Sequence, residues 1–327
     1  MNKLSLVLAA VALAVLTCSS CEILDPAEPG LLVPRTVDED PTLPSIYVNG
    51  TQLHAETFGN PNDPMIVVIH GGPGSDYRSQ LQCRAFAADS FFVVFYDQRG
   101  SGLSRRHKKE TYTTVQLFID DLDAVIKYYR QPGQKLFLVG HSWGAMLATA
   151  YINRNPAAVT GAVLTEPGGL TWRDTEAYMK RWMTLEYFDE TSNDYVYLDQ
   201  IVTGDDHVVL DYKAGIQSAA DFAKGNKVGI AGPSPFWRMG AVCNAAALEV
   251  AKANPFDFTT NLSQYTTKVL FGYSELNEAY GKAHAELVSS AYPNVQLELI
   301  RGTGHEIPYF GWEEYYPLAK AYLNSLK

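Results

Sequence analysis

From residue 45 onward, short apolar runs alternate with longer amphipathic stretches. Met65-Ile66-Val67-Val68-Ile69, Phe91–Tyr96, Lys135–Val139, Gly161–Thr165, Lys268–Phe271 and Val295–Ile300 are brief, mostly apolar segments. Where such a run has no polar face, as over 65–69, 91–96 and 135–139, it predicts a strand buried on both sides, and the remaining runs predict strands. Between them, Thr114–Tyr129 sets Val115, Leu117, Phe118, Leu122, Val125 and Ile126 on one helical face, with Asp120, Asp121 and Asp123 mostly opposite and read as solvated. Trp143–Arg154, Glu278–Tyr292 and Trp312–Leu326 predict further helices. Ile46–Val48 and Gln52–Thr57, separated around Asn49-Gly50, predict a hairpin closed by a favoured turn dipeptide. Strands alternating with helices predict an α/β fold whose central sheet is mostly parallel and covered on both faces.

The alternation fails over residues 171–262, which are rich in aromatic and acidic side chains and contain no clear buried strand. This stretch reads as a helical cap inserted into a core made of residues 45–170 and 263–327. Residues 22–44 are rich in proline and acid, without periodicity, and read as an extended tether.

The start of the chain predicts an export signal over residues 1–21. Met1-Asn2-Lys3 is basic, and Leu4–Leu16 is apolar apart from Ser5. Such a run is short of the roughly 20 residues that span a bilayer. Thr17-Cys18-Ser19-Ser20-Cys21 then places small residues before a cysteine, as bacterial lipoprotein signals do. Cys21 is the expected lipidation site, with Cys18 the alternative and simple cleavage a third possibility. The expectation is a chain exported to a bacterial cell envelope, periplasm or outer membrane, with its membrane contact made through the lipid anchor.

Composition narrows the chemistry. A net charge of −10 on 327 residues disfavours nucleic acid as a partner. Cys83 and Cys243 stand far apart in sequence and form no disulfide framework, and no CxxC pair or His/Cys cluster suggests a metal.

Gly140-His141-Ser142-Trp143-Gly144 fits G-x-S-x-G and lies between a predicted strand and a predicted helix. That context lifts a serine hydroxyl above a sheet edge and makes Ser142 the candidate nucleophile. His70-Gly71-Gly72-Pro73-Gly74 ends an earlier strand on the same edge. Its backbone N–H groups, with that of Trp143, are candidate oxyanion donors, Gly72 first and Gly71 as the alternative. His305 follows the last strand and is the candidate base. Glu275, at the end of the penultimate strand, completes the order serine, acid, histidine expected of an α/β-hydrolase. Glu166 closes the strand after Ser142, where some relatives of this fold carry their acid, and stands as the alternative acid or as a carboxylate facing substrate. No metal or organic cofactor is required by this set. Asp97-Gln98-Arg99-Gly100-Ser101-Gly102 reads as a loop bracing the site, with Asp97 and Arg99 paired to each other.

Taken with Leu103-Ser104, these motifs make the chain resemble the proline iminopeptidase (S33) group of the α/β-hydrolase fold, across residues 45–168 and 266–327. The resemblance implies removal of an N-terminal residue, often proline, from short peptides or amides. It also implies that cap carboxylates hold the substrate's free amine. Trp182-Met183-Thr184-Leu185-Glu186 is similar to that family's Trp-x-x-Trp-Glu segment, which points to Glu186 as the amine-binding residue. His141 stands where the family usually has glycine, and Glu275 where it has aspartate. A carboxylesterase or other amidase of the same fold is the second reading, and a non-catalytic surface lipoprotein the third.

Overall fold

The computed structural model describes residues 30–182, 206–221, 226–229, 231, 232 and 234–327. The signal and Cys21 anchor expected over residues 1–21, and Glu186, lie outside the described residues. No described helix is long and apolar enough to cross a membrane.

Eight strands form one sheet: β1 (Ser45–Val48), β2 (Thr51–Phe58), β3 (Met65–Ile69), β4 (Phe92–Tyr96), β5 (Leu136–His141), β6 (Gly161–Thr165), β7 (Val269–Ser274) and β8 (Val295–Ile300). Their order is β1-β2-β4-β3-β5-β6-β7-β8. The hairpin β1–β2 and the β2–β4 pair are antiparallel, and every later pair is parallel. Asn49 and Gly50 both take positive φ at the hairpin turn, the conformation that two-residue hairpins demand.

Strand alternation divides two cores. Met65, Val67 and Ile69 of β3 face one side with Val94, Leu136 and Leu138. There they meet α1 (Gln116–Tyr129) through Leu122, Val125 and Ile126, and α2 (Trp143–Arg154) through Leu147 and Ala148. Ile66, Val68, Val93, Phe95, Phe137 and Val139 face the other side. They pack on Tyr77 and Phe86 of a 3-10 segment, Tyr77–Asp89, and on Tyr315, Ala319 and Leu323 of the final helix, Trp312–Ser325. With both faces covered, the central strands must be apolar at every position, which is why they read as unbroken runs.

The cap enters between β6 and β7, and its described parts carry helices α3 (Trp172–Trp182), α4 (His207–Asp221) and α5 (Ala241–Ala253).

The structure corrects three expectations. The tether does not stay extended to residue 44. Thr36 and Val37 are buried, Val37 donates to the Leu103 carbonyl at 2.8 Å, and the Pro34 carbonyl accepts from Arg238. Asp97 and Arg99 do not pair with each other. Asp97 accepts from His54 Nδ1 and the Leu103 and Tyr77 amides, while Arg99 makes a two-pronged pair with Asp121 at 2.7 and 2.8 Å. Asp121 is therefore buried rather than solvated, lying beside Phe118, Leu122 and Val125 on the inward face of α1. Cys83 and Cys243 are both buried and free.

Candidate active site

Adjacent parallel strands bring the chemistry to one edge. Ile69 of β3 pairs with Gly140 of β5, so the glycine loop and the serine turn emerge side by side. This is where neighbouring strands depart to opposite sides of the sheet, the place where α/β sheets open a crevice. The turn itself is tight. A Cβ at Gly144 would collide with the Ile69 carbonyl, and one at Gly71 would sit 3.2 Å from Ser142 Cβ.

Ser142 adopts φ 53° and ψ −124°, a conformation disfavoured for residues with a side chain and costing on the order of 1–3 kcal/mol. Its amide donates to the Thr165 carbonyl at 2.8 Å, and its carbonyl accepts from Ala145 and Met146 in the first turn of α2. The strain is thus held by β6 on one side and a helix on the other. Four described non-glycine residues have positive φ, and two of them, Ser142 and Glu166, belong to this site.

His305 lies after β8, its amide held by the Val228 carbonyl at 2.8 Å. Its Nε2 is 3.0 Å from Ser142 Oγ and its Nδ1 is 2.7 Å from Glu166 Oε2. With Nδ1–H given to a carboxylate, Nε2 carries the lone pair that can take the serine proton. Burial would lower the His305 pKa, but the hydrogen bond and charge of Glu166, with Glu306 adding its charge, hold it above the ordinary imidazole value.

The acid is a further correction, in favour of the alternative. Glu275 is exposed, and its carboxylate accepts from the Gly302 amide at 2.9 Å rather than from His305. Glu166 is fully buried. Its Oε1 accepts from the Ser274 amide and hydroxyl at 2.8 and 2.6 Å, and its Oε2 from Asn277 Nδ2 at 2.8 Å as well as from His305. Four donors on one buried carboxylate engage both of its oxygens and fix its direction. The expected role of Glu166 as a substrate-facing carboxylate does not fit these bonds, because both oxygens are engaged.

Gln98 ties the glycine loop and Trp143 together. Its amide donates to His70 Nε2 at 2.9 Å and its side-chain NH2 to the His70 carbonyl at 2.8 Å. Its side-chain carbonyl accepts from Trp143 Nε1 at 3.0 Å. The loop containing Gly72 and the residue after Ser142 are thus braced against a common group. Gly71, Gly72 and Trp143 all border the cavity into which Ser142 opens.

That cavity has a volume of about 360 Å³. The core contributes Ser142, His141, His305 and Glu306, and the cap contributes aromatic and methionine side chains that include Trp172, Tyr178, Met179, Phe236 and Met239. Glu306 is the one acidic residue among its described lining residues, and none of those is lysine or arginine. Among the described residues no group of histidine, cysteine and acidic side chains could hold a metal ion.

Sequence reasoning missed Gln98, Asn277, Ser274 and Glu306 as site residues. Their available signal was position, since Ser274 ends β7 and the other three follow the carboxyl ends of sheet strands.

Comparison with known proteins places this geometry in context. A family model described as serine aminopeptidase, S33, matches residues 60–217. A proline iminopeptidase of Heyndrickxia coagulans is 27% identical over 302 residues, covering 86% of this chain and 98% of that protein. Epoxide hydrolase B of Mycobacterium tuberculosis is 32% identical over 116 residues, 35% of this chain and 32% of that one. Among solved structures, the proline iminopeptidase of Mycobacterium smegmatis superposes with a TM-score of 0.60 at 19% identity, covering 86% of this chain and 98% of its own. The likeness is one of fold, the α/β-hydrolase fold with the mostly parallel sheet expected from sequence.

Proposed function

We propose that this chain, an α/β-hydrolase resembling the proline iminopeptidases, is a serine hydrolase that removes the N-terminal residue of short peptides through an acyl-enzyme. The observation that carries the reading is the relay Ser142–His305–Glu166, joined at 3.0 and 2.7 Å and opening into a cavity of modest size. In the reaction, Ser142 Oγ attacks the scissile carbonyl carbon as its proton passes to His305 Nε2. Glu166 keeps the imidazole oriented and stabilises the imidazolium. The carbonyl electron pair moves onto oxygen, facing the N–H groups of Trp143 and of the glycine loop, Gly72 foremost. On collapse, the C–N bond breaks and the leaving amine takes the proton from His305. Water then repeats the sequence on the ester, freeing the acid and Ser142.

The cavity supports a small apolar acyl group, since its described lining is dominated by tryptophan, tyrosine, phenylalanine, methionine and alanine. An esterase or amidase without amine recognition is the competing reading, favoured by the same apolar lining. Hydrolysis of prolyl and alanyl anilides, their N-acetylated forms and a short-chain ester separates the two. The aminopeptidase reading expects the free-amine anilides to be cleaved at least about tenfold faster than the blocked ones, the effect of roughly one charge-assisted hydrogen bond. Equal rates on free and blocked substrates would replace it with the esterase reading.

A further inference from the structure

The cavity holds two polar groups that the hydrolytic relay does not use. His141 is the residue before the nucleophile, 2% exposed, and its Nε2 has no hydrogen-bond partner among the described residues. Glu306 directly follows His305, and its Oε1 lies 4.0 Å from that nitrogen, too far for a hydrogen bond between them. Both border the cavity.

The protonation of His141 follows from its other side. Its Nδ1 is 2.9 Å from Thr165 Oγ1, and that hydroxyl donates to the Gly140 carbonyl. With the hydroxyl turned to that carbonyl, 3.4 Å away, Thr165 accepts and His141 Nδ1 carries the hydrogen. Burial, reinforced by the nearby His305, holds His141 well below the ordinary imidazole value, so the ring is neutral and has only that one hydrogen. Nε2 is consequently a bare acceptor. Glu306, whose carboxyl also receives a hydrogen bond from Ser234, offers a second acceptor beside it. Two acceptors in this position cannot satisfy each other and call for a donor bearing two hydrogens.

We propose that His141 Nε2 and the Glu306 carboxylate form the subsite that holds the substrate's N-terminal ammonium, placing that recognition in the core, next to the nucleophile. The inference rests on the aminopeptidase reading and names its amine anchor. A nitrogen about 2.9 Å from both acceptors subtends an angle of about 90° between them, close to what two N–H bonds of one ammonium reach. Chain position agrees with the chemistry. The amine of an N-terminal residue is separated from the scissile carbonyl carbon by one Cα, so its anchor must adjoin the nucleophile and base. His141 and Glu306 are the sequence neighbours of Ser142 and His305. Charge agrees as well. Burial and the nearby Glu166 hold the Glu306 carboxyl above its usual range, against the opposing pull of His305 and Ser234, and no lysine or arginine among the described lining residues neutralises it. A bound ammonium supplies the missing counter-charge.

The test compares two substrates on one protein, so a loss of folded fraction cancels. These are prolyl 4-nitroanilide and cyclopentanecarbonyl 4-nitroanilide, in which the ring NH is replaced by CH2. The readout is the ratio of their kcat/KM values. In the unsubstituted protein the ratio favours the amine. In Glu306→Gln and in His141→Leu it falls by roughly 10- to 100-fold, mainly through KM for the amine substrate, while Glu306→Asp keeps part of it. If both Glu306→Gln and His141→Leu keep the original ratio, the pair holds nothing more than a bridging water and the proposal is overturned, with the aminopeptidase reading intact. If the unsubstituted protein shows no preference for the amine, both fall together.

Discussion

Replacing Glu166 by glutamine tests how the relay is ordered. The carboxylate is buried and receives hydrogens from His305 Nδ1, Asn277 Nδ2, the Ser274 amide and the Ser274 hydroxyl. Glutamine has one oxygen, so its NH2 must face one pair of those donors. If it faces Asn277 and His305, the imidazole responds by moving its hydrogen to Nε2, where it points at Ser142 Oγ and cannot accept the serine proton. If it faces Ser274, that buried amide loses its acceptor, at about 1–3 kcal/mol in stability. The first arrangement keeps the fold and removes the base, so kcat falls by about 10³–10⁴-fold, equivalent to roughly 4–5.5 kcal/mol of barrier. Glu275→Gln loses only an exposed carboxylate facing the Gly302 amide, and its kcat stays within about twofold. The assay is steady-state anilide hydrolysis by both variants, with thermal unfolding to score the folded fraction. A Glu166→Gln protein retaining more than a tenth of kcat, or a Glu275→Gln protein losing most of it, would refute the reasoning.

The remaining predictions concern the base, the brace and the turn. His305 must be neutral to accept a proton and its pKa is raised, so kcat/KM should decline as pH falls through a midpoint above about 6.5; a midpoint below that contradicts the dominance of Glu166 over burial. Arg99→Ala leaves Asp121 buried without its partner and should cost about 3–5 kcal/mol in urea unfolding; a change under 1 kcal/mol would mean that the pair contributes little. Gly144→Ala drives a Cβ into the Ile69 carbonyl and should destabilise by more than about 3 kcal/mol, read as a lowered unfolding midpoint; wild-type stability would show that the close approach of β3 to the turn is relaxed at little cost.

Much of this architecture is legible because burial on both faces leaves a simple trace. β3, β4, β5 and β6 have every residue buried, and a strand in that position has no polar face to confuse with a helix. The serine turn is equally legible, since its glycines answer a backbone collision that sequence context implies. The acid is different. Glu166 and Glu275 both follow parallel strands that end on the same edge, and residue type and spacing treat them alike. What separates them is a positive φ of 43° at Glu166 and the donors Ser274 and Asn277, which flank Glu275 in sequence yet serve the other carboxylate. A dihedral angle and a cross-strand partner leave no periodic trace. Asp121 shows the complementary failure. Its spacing from Phe118 and Val125 is that of a buried face, but its partner Arg99 comes from a loop 22 residues earlier, so its charge suggested solvent. The cap resists reading in part because several of its described apolar residues, Trp172, Tyr178 and Met179 among them, line a cavity rather than a sheet, and a cavity imposes no repeat.

Every step of the proposed reaction begins from Ser142 as the nucleophile. Treating the protein with a small fluorophosphonate, digesting it and weighing the peptides measures this directly. One adduct is expected, on the peptide containing Ser142, and neither labelling nor hydrolysis in Ser142→Ala. A Ser142→Ala protein that hydrolyses anilides at the original rate, or an adduct formed on a different residue, would contradict it.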